Sequence, residues 1–184
     1  MNTATNHCQL ICRIEQFYYL EARLLDERKF QQWFGLVDAS LEYSMPNRFV
    51  PQPDPGEQGE EEFLSVDREL SRAEGGQGNP LRMEGYMETM LRIARPYNTN
   101  AWAESPPPRT RRHISNVEVE TVDDTYRVKS NFLMFYSHRG EDNHLYSGAR
   151  RDILMEIDGQ FRLHKREVIT DWDVITVPTL AFIF

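Results

Sequence analysis

The middle of the chain holds its densest group of side chains with obvious chemistry, three arginines and a histidine that directly follow a run of prolines. They are Arg109, Arg111, Arg112 and His113, in the segment WAESPPPRTRRHISNV that starts at Trp102. Proline lacks a backbone donor and fixes φ, so three in a row end any preceding helix and leave the cluster at the start of a new element. Guanidinium groups at such a position suit bidentate binding of carboxylates, whereas the alternative is a solvated basic turn.

A second pair of arginines, Arg150 and Arg151, precedes Asp152 in a strand-like stretch of the C-terminal half. We expect these arginines and those of the proline-bounded cluster to pair with carboxylates at the edge of a sheet, within the chain or across to a neighbouring subunit. The reason is energetic, because an uncompensated buried charge costs several kcal/mol. The same side chains are therefore candidates for structural or interface contacts.

The residues able to bind a metal are few and scattered. Cys8 and Cys12 are four residues apart near His7, and the five histidines occur singly. A zinc or iron–sulfur site needs about four ligands in close pairs, and a mononuclear iron site needs two histidines and a carboxylate. Neither pattern is present, and the sequence has no glycine-rich phosphate loop or dinucleotide fingerprint. The sequence therefore predicts no metal, no cofactor and no catalytic residue in this chain.

The composition is that of a globular domain. With 184 residues, 40% hydrophobic side chains and a net charge of −8, the chain is long enough for one domain with its own core. The acidic balance argues against non-specific binding to nucleic acid, and no run approaches the ~20 apolar residues that span a bilayer. The first residues lack a basic region followed by an apolar stretch, so no secretion signal is predicted and the cytoplasm is the expected location.

Hydrophobic periodicity predicts helices first and strands afterwards. Steps of three and four residues indicate helices at 9–28, 29–36 and 83–95. The last of these has Met83, Tyr86, Met87, Met90 and Leu91 on one face. Alternation predicts a short strand at 41–45 and long strands at 114–122, 125–137, 145–157 and 161–170, with tight turns at Asp123-Asp124 and Asp158-Gly159. This order indicates an α+β domain in which a strongly curved antiparallel sheet wraps over the N-terminal helices.

Residues 47–80 differ in composition from the rest, being rich in proline, glycine and acids. They are predicted to form a long loop insertion, with a helical turn within 62–73, in a single domain that covers residues 1–184. A loop of this length in a compact domain is usually functional, ordered by a partner or mobile.

The last residues are strongly apolar, with no charge after Asp173. The run consists of Val174, Ile175, Val177, Leu180, Ala181, Phe182, Ile183 and Phe184. Leaving such side chains in water forgoes roughly 1.5–3 kcal/mol for each large one, so we expect them to be buried. Two locations are open. We favour the interface of an oligomer, and the alternative is the chain's own sheet.

Five fragments, in this order, resemble the small (β) subunit of aromatic-ring-hydroxylating dioxygenases, the Rieske non-haem iron oxygenases. They are IEQFYYLEARLLDERKFQQWFGL, LEYSMPNR, AWAESPPPRTRRHISNVEVE, SGARRDILMEIDGQFRLHKREVITDWDVIT and the final FIF. Together they cover most of the chain outside residues 51–80. In many relatives the histidine directly follows the second arginine of the cluster, whereas here Arg112 precedes His113.

The resemblance implies a cone-shaped α+β fold, like that of nuclear transport factor 2 and of cystatin-like proteins. It also implies a large (α) subunit, in an assembly of three large and three small subunits, that carries the Rieske [2Fe–2S] cluster and the mononuclear iron(II). There, dioxygen adds to an aromatic hydrocarbon ring, with electrons from NAD(P)H that pass through a reductase and a ferredoxin. For the small subunit the implied role is structural, since the choice of aromatic substrate is made in the large one.

The same cone fold also hosts enzymes, which gives an alternative function. Dehydratases and isomerases of this shape use an interior Asp–His pair, or an Asp with tyrosines, in a hydrophobic pocket. The residues available here for that role are Tyr18, Asp26, Tyr43, His113 and Asp152. A stand-alone dehydratase, isomerase or small-ligand-binding protein needs an open cavity of roughly 300 Å³ or more, whereas a scaffold subunit fills that space with side chains.

Overall fold

The computed structural model describes residues 3–50, 65–71, 79–97, 106–140 and 143–184, and within them the chain forms three α-helices and six β-strands. The helices are α1 (Thr3–Asp26), α2 (Phe30–Phe34) and α3 (Tyr86–Ala94). The strands are β1 (Val37–Met45), β2 (Arg82–Gly85), β3 (Arg109–Val122), β4 (Thr125–Ser137), β5 (His144–Ile157) and β6 (Gln160–Thr170). No helix in the described ranges is long and apolar enough to cross a membrane.

All six strands belong to one sheet with the order β2-β1-β6-β5-β4-β3. The last four form the expected antiparallel meander, with tight turns at Asp123-Asp124 and Asp158-Gly159 as predicted. Asp123, Asp158 and Gly159 adopt the positive φ angles typical of tight hairpin turns. One pairing departs from a purely antiparallel sheet, because β1 runs parallel to β6. No hairpin joins these two strands, so a turn does not impose their relative direction.

The segment predicted as one helix over residues 83–95 divides into β2 and α3. Arg82–Gly85 pairs with β1, and the helix begins only at Tyr86. Its first turn is capped, because the Glu88 carboxylate accepts a hydrogen bond from the Gly85 backbone N–H at 3.0 Å. The buried residues of α3 are Thr89, Arg92 and Ile93, while Met83, Met87 and Leu91 are exposed. The predicted apolar face is therefore divided, because these three side chains are exposed while Tyr86 and Met90 are half-buried. The Tyr86 ring packs on Phe34 with centroids 4.4 Å apart.

Strand β3 begins earlier than predicted, because its first residues pair with the end of β4, from Arg109 opposite Ser137 onward. The basic cluster therefore lies inside a strand rather than in the turn before it. Alternation along the strand sends the Arg112 side chain inward and leaves Arg109, Arg111 and His113 exposed.

The predicted loop insertion at 47–80 is described only in part, since residues 51–64 and 72–78 lie outside the described residues. A turn of 3₁₀ helix at Val66–Glu69 matches the expected helical turn. The Phe49 N–H donates to the Glu69 carbonyl and the Ser71 N–H to the Asn47 carbonyl, both at 2.8 Å. Leu70 between them is fully buried, so this part of the loop is anchored to the domain.

The core lies between α1 and the inner face of the sheet. The helix contributes Ile14, Phe17, Tyr18, Leu24 and Leu25, and the strands contribute Val128, Phe132, Met134, Tyr146, Leu154, Leu163 and Val168. Gly148 of β5 is required by this packing, because a Cβ there would lie 2.2 Å from the Ile169 carbonyl oxygen and 2.8 Å from the Phe132 ring. The predicted α+β arrangement, with a sheet packed on the N-terminal helices, is confirmed.

Candidate functional site

Four charged side chains are enclosed between α1 and the sheet, and we call them the buried ion network. They are Glu21 of α1, Arg150 and Asp152 of β5, and Arg166 of β6, each no more than 2% exposed. Two cations face two carboxylates, so the network is electrically neutral. A protein tolerates buried charges when each is paired and hydrogen-bonded, and this arrangement meets that condition.

Arg166 is the centre of the network. Its Nη2 donates to Asp152 Oδ2 and its Nη1 to Glu21 Oε1, both at 2.8 Å. Nη2 also reaches Glu21 Oε2 at 3.0 Å, and Nε reaches Asp152 Oδ1 at 3.0 Å. One arginine thus fixes α1 to strands β5 and β6.

Neighbouring groups complete the network. Arg150 Nη1 donates to Glu21 Oε2 at 3.1 Å, and its guanidinium carbon lies 4.7 Å from the centroid of the Tyr18 ring. The Tyr18 hydroxyl donates to Asp152 Oδ2 at 2.9 Å, and the Trp33 indole donates to Glu21 Oε1 at 3.1 Å. Arg150 is therefore paired as predicted, but in the interior rather than at a sheet edge, because β5 lies between β4 and β6.

Burial and the neighbouring charges move the pKa values of Glu21 and Tyr18 away from neutral pH in opposite directions. Burial by itself would raise the pKa of Glu21, but the charges of Arg166 and Arg150 lower this pKa to about 2. Burial, and after it the charge of Asp152, raise the pKa of Tyr18 well above its ordinary value. A general acid or base needs a pKa near the working pH, so Glu21 and Tyr18 are suited to structure rather than to proton transfer.

Sequence reasoning named both network residues of β5 and missed Glu21 and Arg166. Glu21 lies one turn after Tyr18 on the buried face of α1, so an acid at a core position of the apolar pattern was the available signal. Arg166 gave no such signal, because β6 changes register against β5 between Leu163 and Lys165. Such a bulge moves every later side chain to the opposite face.

Residues 179–184, which we call the closing segment, enter the interior beside the network. Ile183 and Phe184 are buried. The main-chain oxygen of Phe184 accepts a hydrogen bond from Arg166 Nη1 at 2.8 Å, and its N–H donates to the Tyr43 hydroxyl at 3.2 Å. The chain itself therefore occupies the space next to the network.

Aromatic rings surround the two phenylalanines of the closing segment. Phe184 packs on Phe132 and Tyr146 with ring centroids 5.5 and 5.6 Å apart, and Phe182 packs on Tyr136 at 5.4 Å. The prediction that the apolar end of the chain is buried is confirmed for Ile183 and Phe184, whereas Val174 and Ile175 of the same stretch are exposed. For the two buried residues, the favoured location in an oligomer interface was wrong. The segment packs on its own sheet rather than in an oligomer interface, because the interior offers it both aromatic surface and hydrogen-bond donors.

Arg112 is the member of the basic cluster that enters the interior. Its Nη1 donates to Asp26 Oδ1 at 2.5 Å and its backbone N–H to Asp26 Oδ2 at 2.8 Å, with both side chains almost fully buried. Thr110 Oγ1 also donates to Asp26 Oδ1 at 2.9 Å. Burial lowers the pKa of Arg112, and this effect exceeds that of the Asp26 charge, which acts to raise the same pKa. The predicted pairing at a sheet edge is confirmed here, because β3 is an edge strand.

The other predicted basic residues stay outside. Arg109, Arg111 and His113 are exposed, and within the described residues neither arginine has a carboxylate at ion-pair distance. The solvated alternative therefore fits these three side chains. Arg151 is partly exposed and pairs on the outer face of the sheet with Asp67 at 2.6 Å.

Of the five residues that an interior catalytic pair would recruit, the structure brings together Tyr18 and Asp152, and the other three lie apart from them. Tyr18 is bonded to Asp152, Tyr43 to the Phe184 backbone and Asp26 to Arg112, while His113 is exposed. Three grooves of about 520, 470 and 450 Å³ are open to the surface, and neither Glu21 nor Arg166 lines them. Asp152 is among the residues that line the second groove, and the third lies between the end of α1, α3, the start of β3 and the closing segment. These grooves do not reach the carboxylates of α1.

The potential iron ligands lie apart. Cys8 and Cys12 are exposed free thiols on α1. Among the described residues, no group of three or more His, Cys, Asp or Glu side chains is placed to hold a metal ion. These side chains therefore do not fit a Rieske cluster or a mononuclear iron, the two groups that the resemblance assigns to a large subunit.

Comparison with known proteins bears out the fold. A family model described as ring hydroxylating beta subunit matches residues 20–177. Biphenyl 2,3-dioxygenase subunit beta from Rhodococcus jostii (strain RHA1) is 31% identical over 176 residues, covering 93% of this chain and 87% of that protein. The solved structure of naphthalene 1,2-dioxygenase with indole bound in the active site has a TM-score of 0.76 at 19% identity, over 91% of this chain and 82% of that one. The benzoate 1,2-dioxygenase beta subunit from Burkholderia mallei ATCC 23344 has a TM-score of 0.65 at 21% identity, over 92% and 95%.

Proposed function

We propose, because the chain belongs to the family of ring-hydroxylating dioxygenase beta subunits, that it is the structural subunit of a multicomponent enzyme that adds dioxygen to an aromatic hydrocarbon ring. In this proposal a large subunit carries the Rieske [2Fe–2S] cluster and the mononuclear iron(II), in a cytoplasmic assembly of three large and three small subunits. Electrons arrive from NAD(P)H through a reductase and a ferredoxin. The present chain contributes no catalytic residue and acts by holding the assembly together.

The filled interior is the observation that carries the structural role. Where an enzyme with this fold needs an open cavity, this chain has the buried ion network and the closing segment. Every carboxylate oxygen of Glu21 and Asp152 accepts a hydrogen bond, and Phe184 lies against Arg166. The alternative, a stand-alone dehydratase, isomerase or ligand-binding protein, needs both free polar groups and free space, so these contacts favour the assembly role.

Two groups of exposed apolar side chains support the proposal that this chain binds another subunit. One group lies on α3 and the strand before it, and a second lies on the outer face of the sheet, where β4 and β5 are paired. Their members are Met83, Met87 and Leu91 in the first group, and Leu133, Phe135 and Leu145 in the second. Neighbouring exposed apolar residues of this kind mark interaction sites.

Charged substitutions in these two groups test the assembly role. Met87→Glu and Leu133→Glu are each co-expressed with a tagged large subunit of the same complex. We expect at least one of them to lower the recovery of the small subunit tenfold or more. The free energy of unfolding of the isolated variants should change by less than about 1 kcal/mol, as is usual at exposed positions. Unchanged recovery of both variants would contradict the proposal.

Turnover in the assembled complex tests the non-catalytic role. Tyr18→Phe removes the hydroxyl of the interior tyrosine nearest to a carboxylate, and His113→Ala removes the exposed histidine of the basic cluster. We expect both variants to leave oxygen uptake per mononuclear iron unchanged once the subunit ratio is matched to that of the unmodified complex. A loss of turnover in complexes with full subunit content would show that this chain takes part in the chemistry.

A further inference from the structure

The main-chain oxygens of the closing segment are held by side chains rather than by a neighbouring strand. Within the described residues, no main-chain to main-chain hydrogen bond joins residues 179–184 to the sheet. Five donors from five different elements bind them instead. The pairs are Tyr146 with the oxygen of Thr179 at 2.9 Å, Arg82 with that of Leu180 at 3.1 Å, Arg92 with that of Phe182 at 2.7 Å, and Arg112 and Arg166 with those of Ile183 and Phe184 at 2.8 Å each.

All four of these arginines are paired with carboxylates that lie outside the closing segment, and Arg82 shares Glu84 with Arg92. Arg112 is paired with Asp26 at 2.5 Å and Arg92 with Glu84 at 2.7 Å. Arg166 is held by both carboxylates of the buried ion network. Carboxylates outside the segment therefore contribute to the orientation of every arginine that binds it. A donor array that is fixed in advance lowers the entropy cost of binding a ligand.

Two aromatic pockets add selectivity for side chains. The Phe182 ring lies between Tyr136 and Tyr146, with centroids 5.4 and 5.9 Å away. The Phe184 ring lies between Tyr146 and Phe132, at 5.6 and 5.5 Å. Tyr146 contacts both rings, and the two phenylalanine rings also meet edge to face with centroids 6.4 Å apart. Aromatic pairs in such tilted or edge-to-face contacts contribute beyond the area that they bury.

An exposed link connects the closing segment to the rest of the fold. Residues 173–176, which follow the end of β6, are all exposed, and Val174 is 65% exposed. Exposed chain of this kind tolerates cleavage and insertion. The segment is therefore attached through a stretch that makes little contact with the domain.

We propose that the interior of the cone is a preformed peptide-binding site and that residues 179–184 occupy it as an intramolecular ligand. The ligand class is a short apolar peptide in extended form, recognised through its main-chain oxygens and through two aromatic side chains at alternate positions. A peptide of sequence TLAFIF binds the same site when it is supplied separately. The test of this site measures peptide exchange in the isolated chain rather than recovery with a large subunit, so the proposal can fail while the assembly role stands.

Cleavage of the native chain tests this proposal. A protease recognition sequence replaces residues 173–176, and the folded protein is cut there. We expect the released fragment to co-elute with the domain in gel filtration and the near-ultraviolet circular dichroism to be retained. Fluorescent TLAFIF peptide should then exchange into the cut protein. The matched control peptide, TLAAIA, should bind at least a hundredfold more weakly, because it lacks both rings.

A donor variant separates recognition from simple hydrophobic attachment. Arg92→Lys keeps the charge near Glu84 but replaces a planar guanidinium, and it should weaken TLAFIF binding about tenfold in the cut protein. The proposal is overturned if the cut domain unfolds at once, because the segment is then an integral part of the fold rather than a ligand. Equal exchange of TLAFIF and TLAAIA would overturn it as well.

Discussion

Replacing Glu21 by glutamine removes one charge from the buried ion network while keeping the shape of the side chain. In the native chain the Glu21 carboxylate accepts hydrogen bonds from Arg166, Arg150 and Trp33. A glutamine keeps one acceptor oxygen and presents an amide N–H₂ donor towards guanidinium donors. Asp152 is then left as the sole carboxylate of the network against two arginines. We therefore expect Glu21→Gln to lower the free energy of unfolding strongly.

Two estimates give the size of this effect. Breaking a buried ion pair by removing one partner costs about 3–5 kcal/mol. The pKa of Glu21 falls from an ordinary value of 4.5 to about 2, which corresponds to about 3 kcal/mol of preference for the charged form in the folded state. We expect a loss of about 3 kcal/mol or more at neutral pH.

The pH dependence follows from the direction of this shift. Because the folded pKa is depressed, the stabilisation by Glu21 is fully present above its unfolded pKa of about 4.5 and is lost as the pH falls through the folded pKa of about 2. Carboxylates other than Glu21 titrate in both proteins. The difference in unfolding free energy between wild type and Glu21→Gln should therefore shrink by about 3 kcal/mol between pH 4.5 and pH 2.

Urea unfolding followed by far-ultraviolet circular dichroism measures both quantities. Glu42→Gln is the matched control, since Glu42 pairs with Lys165 on the surface at 2.7 Å and is exposed. That variant should lose no more than about 1 kcal/mol. A Glu21→Gln loss equal to the control, or a gap from wild type that is the same at pH 2 and pH 5, would refute the reasoning.

Three further outcomes are expected. Arg112→Ala should lose about 3–5 kcal/mol in urea unfolding because it leaves Asp26 buried and unpaired, whereas Arg111→Ala should stay within about 0.5 kcal/mol; equal losses would contradict the inward placement of Arg112. Gly148→Ala should cost about 1–3 kcal/mol and lower Tm, because its Cβ would meet the Ile169 carbonyl oxygen at 2.2 Å; an unchanged Tm would show that this strand pairing yields easily. The chain purified alone should hold far less than one iron or zinc per chain by elemental analysis, and a stoichiometric metal would contradict the absence of ligand pairs in the sequence.

Local patterns explain which parts of the fold were predictable from the sequence. Strand β4 has the predicted bounds, because inward residues alternate strictly with outward ones from Thr125 to Ser137. The tight turns of the β3–β4 and β5–β6 hairpins have their own sequence signals, which are Asp123 and Gly159 respectively. Such features need only neighbouring residues, so one sequence is enough to find them.

Features that depend on distant partners were missed or misplaced. Arg166 faces inward only because a bulge in β6 reverses the alternation. On α3, Arg92 faces inward because its guanidinium binds the oxygen of Phe182, which is 90 residues away in sequence. Leu91 is exposed as a result. No periodicity within a helix or strand carries that information.

The candidate site was predictable only at the level of residue types. The arginines that follow the proline run were predicted to form ion pairs with carboxylates at a sheet edge. Within the described residues, Arg112 is the one member of that cluster that forms such a pair. The resemblance to a known family predicted the cone-shaped fold. The apolar residues at the end of the chain predicted that this end is buried. That the end lies inside the cone follows from donors on five separate elements, which only the folded chain brings together.

The parallel pairing of β1 with β6 determines when the domain can fold during synthesis. Lys165 of β6 reaches Glu42 of β1 across 123 residues of sequence. At the usual rate of about 5–20 residues per second, a ribosome needs roughly 6–25 s to make that stretch. Throughout this interval β1 has an open edge, and Glu21 is a charged residue on an apolar helix without Arg166 to neutralise it. The early elements therefore cannot complete the sheet and the buried ion network until β6 has left the ribosome.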